Sequence, residues 1–329
     1  MIARAFAASI LAASLLTIIP GSGPASAQSY PTRPVTMLVA FPPGGADDAT
    51  ARILQDPMQK ALGQPIVIEN VAGAGGTLAA AKAAKATPDG YTILLHQNSL
   101  AAAMTLYPKR TFDAEKDFVA IGLVNTAAGV LAGRGDLPPN SFDELLQWIK
   151  TPGLIVKFGH PGVGSWGHLA GVLIVQELGM TVTQVPYRGA GPVLIDLLGG
   201  QVDMGVQSAI ADAALIRDKK LKAYAIVGRK QFAGLPGLKT LGELGYKKLH
   251  FDFWHALFAP AGTPRPIVDK LNAALRTAMN DERLLKTYAE GGMDRYPPQE
   301  MTPEAAAALL KHEIPLWGEV IRTNNISGQ

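Results

Sequence analysis

Short apolar, β-branched runs alternate with helical patterns along most of this chain, and that alternation leaves few folds open. Val35-Thr36-Met37-Leu38-Val39-Ala40, Ile66-Val67-Ile68-Glu69 and Thr92-Ile93-Leu94-Leu95 read as buried strands. Ile121-Gly122-Leu123-Val124, Val130-Leu131-Ala132, Ile155-Val156-Lys157-Phe158 and Ala223-Tyr224-Ala225-Ile226-Val227 continue the series. Helix starts lie between and beyond them. Ser141 with Glu144 has the spacing of a capping box, and Thr263-Pro264 and Thr302-Pro303 each set a cap residue before a first-turn proline. Leu310, Ile314, Trp317 and Ile321 form one helical stripe. Pro57, inside the first helical pattern, is expected to kink or shorten that helix. The fold class that follows is α/β with mainly parallel sheet.

At 329 residues and 48% hydrophobic, the chain can bury one large or two medium cores, and it has no cysteine to staple them. Thiol catalysis and thiolate metal sites are excluded with the cysteines. A net charge of +3 is too balanced for a nucleic-acid or membrane-surface protein. The first residues read as an address. Arg4 precedes an uncharged run from Phe6 to Ile19, then Pro20-Gly21 and Ala25-Ser26-Ala27, the pattern of a secretory signal cleaved after Ala27. The run is short of the roughly 18–20 residues a membrane span needs. An exported, soluble mature protein is expected.

Two glycine-rich turns follow strands and open helices: Pro42-Pro43-Gly44-Gly45-Ala46-Asp47-Asp48 and Asn70-Val71-Ala72-Gly73-Ala74-Gly75-Gly76-Thr77. Glycine lets the backbone turn sharply with its N–H groups uncovered, and the helix start adds unpaired donors and partial positive charge. Such turns attract anions, and two at the carboxyl ends of neighbouring strands mark a ligand crevice. Nucleotide motifs are not met. Leu78 stands where G-x-G-x-x-G would need its last glycine, and no phosphate-loop lysine run occurs.

A third loop, His160-Pro161-Gly162-Val163-Gly164-Ser165-Trp166-Gly167-His168, has Val163 where the nucleophile elbow G-x-S-x-G needs glycine. Ser165 then reads either as a cap on the next helix or, with His168, as a hydrogen-bond donor to a ligand. Arg188 suits a carboxylate or, more often, a loop ion pair. Phe253 and Trp254 fit a core strand, or with Trp166 an apolar slot for a ring.

These residues together resemble the exported solute-binding receptors of the tripartite tricarboxylate transporters, the Bug/TctC family. The resemblance is carried by Tyr30-Pro31-Thr32-Arg33-Pro34, Phe41 to Asp48, Gly63 to Asn70, Gly73-Ala74-Gly75-Gly76 and Pro88-Asp89-Gly90-Tyr91-Thr92. Gly162 to Gly171, Val185 to Gly189, Asp196 to Asp203 and Phe258 to Pro264 extend it over the mature chain. It implies a two-domain, type II-like flytrap: a first domain of 28–125 plus 255–329 and a second of 126–254. One ligand carboxylate is expected on the backbones of Phe41, Pro43, Gly44, Ala74, Gly75 and Thr77, partly through water. Ser99, Ser165, Trp166, His168, Gln207 and Ser208 read the rest.

Three departures from the family pattern bear on the ligand. Asp47 stands where a small neutral residue is usual, and pointed inward it would repel a carboxylate. Gln207 replaces a frequent aspartate, removing a partner for an amine. Trp166 replaces a small residue and favours a flat or apolar ligand body. The resemblance therefore implies a monomeric periplasmic receptor for an organic carboxylate, with an aromatic acid such as terephthalate or protocatechuate ahead of citrate. It calls for no metal or cofactor and hands its load to a membrane permease of one large and one small subunit. The alternatives are a sensor subunit for a membrane kinase and an exported hydrolase built on Ser165 and His168.

Overall fold

β1 (Val35–Val39) is buried on both faces, and its register sets the first sheet. Met37, Ile93 and Leu257 turn to a layer with Leu54, Met58 and Leu271; Leu38, Leu94 and Phe258 turn to another with Ala79, Ala101 and Trp317. That period of two explains why the runs are continuously apolar: both faces carry helices. The computed structural model describes residues 30–249, 252–291 and 293–328, so the expected leader with its cleavage point, and Phe251, lie outside the described residues.

β1 leads into α1 (Ala46–Leu62), β2 (Ile66–Asn70) through a tight turn at Ala74–Gly76 into α2 (Thr77–Ala84), and β3 (Thr92–Gln97) into α3 (Ser99–Leu106). β4 (Phe118–Ala127) is followed after one residue by β5 (Gly129–Arg134), which belongs to a second sheet. There α4 (Phe142–Trp148), β6 (Val156–His160), α5 (Trp166–Leu178), β7 (Val182–Pro186), α6 (Ala190–Leu198), β8 (Met204–Ser208), α7 (Ala209–Arg217) and β9 (Leu221–Val227) follow. The chain returns with β10 (Phe253–Pro260), α8 (Arg265–Ala278), α9 (Glu282–Gly291), β11 (Met293–Arg295) and α10 (Pro303–Thr323).

The strand orders are β11-β4-β10-β3-β1-β2 and β7-β6-β8-β5-β9. Within the first sheet β10 and β11 oppose the other strands; within the second only β5 does. Each inner opposed strand, β10 or β5, arrives from the other sheet, which is why it enters antiparallel. The carboxyl ends of β1, β2 and β3, and of β6, β7 and β8, carry the loops that bear on the site.

Three helix expectations need amendment. α1 runs its full 17 residues through Pro57, so the proline does not shorten it and simply leaves the Ile53 carbonyl without its amide. Ser141 caps α4 by accepting from the Glu144 amide at 3.1 Å, but the return bond from Glu144 accepts from the Asn140 amide at 2.7 Å. Thr302 caps α10 as expected, whereas Thr263 donates its hydroxyl to the Pro260 carbonyl at 2.7 Å and caps nothing.

Candidate functional site

Four helix starts converge on one cavity between the sheets. Gly45 and Ala46 bring α1, Ser165 and Trp166 bring α5, Ala190 and Gly191 bring α6, and Ser208, the N-cap of α7, completes the set. The atom-free space there is about 620 Å³, open solvent at the mouth included. First-turn amides have no partner within their own helix, so their donors and partial positive charge make this an anion-binding place without any cationic side chain.

The first of these starts is held from below by Asp48. Its Oδ2 accepts from the Gly44 amide at 3.0 Å and Arg52 Nε at 2.8 Å, and its Oδ1 accepts from Asn70 Nδ2 at 3.1 Å. Burial pushes the Asp48 carboxyl up, but these donors outweigh it and hold it below the usual range. The Gly44 amide, expected on the ligand, is thus committed to Asp48. Pro43 lines the cavity but has no amide hydrogen, so only its carbonyl or ring can serve.

Asp47, one residue earlier, behaves differently. It is 4% exposed and lines the cavity, and its Oδ1 has no hydrogen-bond partner. Behind it, Asn125 turns its amide nitrogen to Met293 Sδ at 3.1 Å and its oxygen to His255 Nδ1 at 2.7 Å, so Nδ1 donates. His255 Nε2 then lies 3.9 Å from Asp47 Oδ2, too far for a hydrogen bond.

Phe41, Ser165, Trp166, Gln207 and Ser208 line the same cavity, with Gln97, Val206, Phe253 and the prolines 42, 161 and 192. Gln207 Nε2 and Ser208 Oγ are buried without hydrogen-bond partners among the described residues. Trp166 stacks on Phe253 with ring centroids 4.8 Å apart and 26° between planes. The pair offers a ligand one continuous apolar wall rather than two facing rings. Gly129 makes room for it, since a Cβ there would lie 2.3 Å from Trp166 Cη2. Trp254 is a core residue packed with Phe258 and Trp317 and does not line the cavity.

Ala74 and Gly75 line an adjoining outer cavity with Gly162, Tyr187 and Arg188, and Phe41, Pro42 and Pro161 are common to both. Arg188 is exposed there and forms no ion pair with any described residue, against its expected loop pairing. Thr77 and Ser99 are buried at the starts of α2 and α3 and line neither cavity. His96 supports the second glycine turn. Its Nδ1 accepts from the Gln97 amide at 2.9 Å, leaving Nε2 to donate to the Gly76 carbonyl at 3.3 Å. Burial lowers its pKa to about 4, so it stays neutral.

Ser165 is a helix cap. Its Oγ donates to the Gly162 carbonyl at 2.7 Å and accepts from the His168 amide at 3.3 Å. His168 Nδ1 accepts from the Gly164 amide at 3.1 Å, and the ring lies 4.1 Å from that of His160. Burial, with His160 alongside, lowers its pKa to about 3. With no histidine on its hydroxyl, Ser165 lacks the base a nucleophile requires. Both residues shape the loop.

Sequence reasoning left Gln97 out of the site; its signal is position, since it ends β3, where open α/β sheets bind ligands. The stretch Tyr187 to Pro192, a candidate in the sequence, brings Ala190, Gly191 and Pro192 to the cavity at the start of α6.

Two mixed sheets joined by crossing strands, with helix starts turned into the cleft between them, define a solute-binding receptor. A sequence model of the tripartite tricarboxylate transporter family receptor matches residues 50–326, and the chain belongs to that family. Its members are receptors, not enzymes. The fold is similar to that of the periplasmic binding protein BugD, at TM-score 0.86 and 37% identity over 91% of this chain and 100% of that one. MatC from Rhodopseudomonas palustris, solved with bound malate, superposes at TM-score 0.83 with 35% identity, covering 89% of this chain and 100% of its own. R. palustris Rpa4515, solved with adipate, gives 0.84 and 28%, covering 91% and 99%.

Proposed function

We propose that this chain is exported, loses its first 27 residues, and acts in the periplasm as a monomeric receptor for an organic carboxylate. It hands its load to a membrane permease of one large and one small subunit. The convergence of the α1, α5, α6 and α7 starts on one cavity carries this reading. Amides and hydroxyls replace water around the ligand carboxylate, and closure of the two lobes buries it. The division into 28–125 with 255–329 and 126–254 is supported by the two sheets. Thr126–Ala127, paired with Phe253–Trp254 next to the crossings, act as the hinge. The dicarboxylates bound by MatC and Rpa4515 support the ligand class.

The apolar wall of Trp166, Phe253, Phe41 and prolines favours a flat ligand body. We therefore place aromatic acids such as terephthalate or protocatechuate ahead of aliphatic ones. A thermal-shift screen over both classes tests the reading. A ligand at about 100 times its Kd adds about 2.7 kcal/mol, which moves Tm by several degrees. If no carboxylate moves the Tm, the reading is wrong. Trp166→Ser is expected to weaken aromatic acids about tenfold more than adipate, measured by calorimetry, with Trp166→Leu as the better-packed control. Equal losses for both classes would remove Trp166 from selectivity.

A further inference from the structure

We propose that Asp47 selects a ligand whose far end is a neutral hydroxyl, so that the cargo is a hydroxylated aromatic monocarboxylate rather than a dicarboxylate or an amino acid. The inference rests on the carboxylate-receptor reading above and narrows it. Asp47 is one of two consecutive aspartates, and only its neighbour is accounted for by the fold. Asp48 satisfies both oxygens on Gly44, Arg52 and Asn70. Asp47 is equally buried and lines the cavity; its Oδ1 has no hydrogen-bond partner among the described residues, and His255 Nε2 stops 3.9 Å short of its Oδ2. A buried polar group left in that state is costly, so its complement comes from what enters the cavity.

Three kinds of ligand group could meet it. A second carboxylate would face like charge in a desolvated site. An ammonium would pair with Asp47 but would sit among four helix starts, whose partial charges are positive, and beside Gln207 Nε2 and Ser208, which have donors to place. A hydroxyl satisfies both sides: its hydrogen donates to the Asp47 carboxylate, and its oxygen accepts from Gln207 Nε2 or Ser208 Oγ. The ligand's own carboxylate then takes the free first-turn amides. Asp47 thus works by attraction to one group and by exclusion of the other two, as specific sites commonly do.

The test is calorimetry on the wild-type receptor with four probes sharing one ring: protocatechuate, benzoate, terephthalate and 4-(aminomethyl)benzoate. Protocatechuate is expected to bind at least about tenfold more tightly than benzoate, because benzoate leaves buried Asp47 unpaired. Terephthalate is expected to be the weaker of the two diacid-or-hydroxyl alternatives by a similar factor. Asp47→Asn, which removes the charge and keeps the shape, should raise terephthalate affinity about tenfold relative to protocatechuate. Terephthalate matching or exceeding protocatechuate on the wild type would overturn the assignment, as would tightest binding of the aminomethyl compound. Either result leaves the carboxylate-receptor reading standing. If none of the four binds and no aliphatic acid does, that reading falls and this one with it. The order on the wild type decides the matter even where an Asp47 variant does not fold.

Discussion

Gly75→Val is expected to lower carboxylate affinity about a hundredfold and to abolish ligand-driven compaction of the receptor. Gly75 sits at φ +63°, and a Cβ there would lie 2.8 Å from the Val163 carbonyl oxygen and 3.1 Å from the Tyr107 hydroxyl. Tyr107 donates that hydroxyl to the same Val163 oxygen at 2.9 Å, tying the loop after α3 to the loop after β6. Gly164 and Gly189 are equally tight, with a Cβ at 2.1 Å from Leu106 Cδ2 and 3.0 Å from Pro42 Cγ. The Gly75–Tyr107 approach lies within the first lobe, but the contacts of Gly75 and Tyr107 with Val163, of Gly164 with Leu106 and of Gly189 with Pro42 cross the cleft, so they exist only when the lobes meet. A penalty confined to the closed form subtracts directly from binding, since the ligand favours that form by its differential affinity. About 2.7 kcal/mol of clash corresponds to the hundredfold. Calorimetry gives the affinity, and small-angle scattering with and without ligand gives the compaction. Gly63→Val is the control: φ is +72° there, with nothing within 4 Å, so it costs stability through backbone strain and leaves affinity alone. Affinity of the Gly75 variant within threefold of wild type would mean that these loops need not meet to hold ligand.

What the sequence reveals of this receptor divides along a physical line. The inner strands β1, β3, β4, β5 and β6 are legible because their runs are apolar and largely buried, and the edge strands β2 and β9 because theirs stay apolar even where, as at Val67, they are half-exposed. β7 is not, since Thr183 and Gln184 lie on a half-exposed edge strand, and the three residues of β11 are too few for any period. The placement of β10 between β3 and β4 is decided by pairing partners more than a hundred residues away. The site follows the same rule. The glycine turns and the Ser165 cap are local, and they read correctly as helix starts. The meeting of the α6 start with that of α1 is tertiary. The presence of Asp47 is visible at once, but its direction is not: a first-turn position at a helix start usually faces water, and here Asp47 is buried beside His255 of β10. Ser99 and Thr77 show the converse, polar residues at the right sequence places that end up beneath the loops rather than facing the cleft.

Asp212→Asn is expected to stabilise the protein above neutral pH and to do much less near pH 4.5. Asp212 lies in the first turn of α7 with 0% exposure, and neither carboxylate oxygen has a hydrogen-bond partner among the described residues. Burial alone raises its pKa from 3.8 to about 7. In the unfolded chain the carboxyl titrates near its ordinary value, so between about pH 4 and 7 the unfolded state releases a proton that the folded state still holds. Stability therefore falls as pH rises through that window and levels off above it, by at most about 4 kcal/mol. The asparagine variant carries no such charge, and any fixed cost of its amide is the same at both pH values. The Tm advantage of the variant should be wider at pH 8 than at pH 4.5 by about 5 °C, measured by melting both proteins in each buffer. His96, His160 and His168, with pKa values lowered to about 4, about 4 and about 3, act in the other direction. They cost stability as pH falls below their unfolded value near 6.5, but both proteins contain them and the comparison cancels them. A gap that does not change with pH would mean that Asp212 has the same charge folded and unfolded.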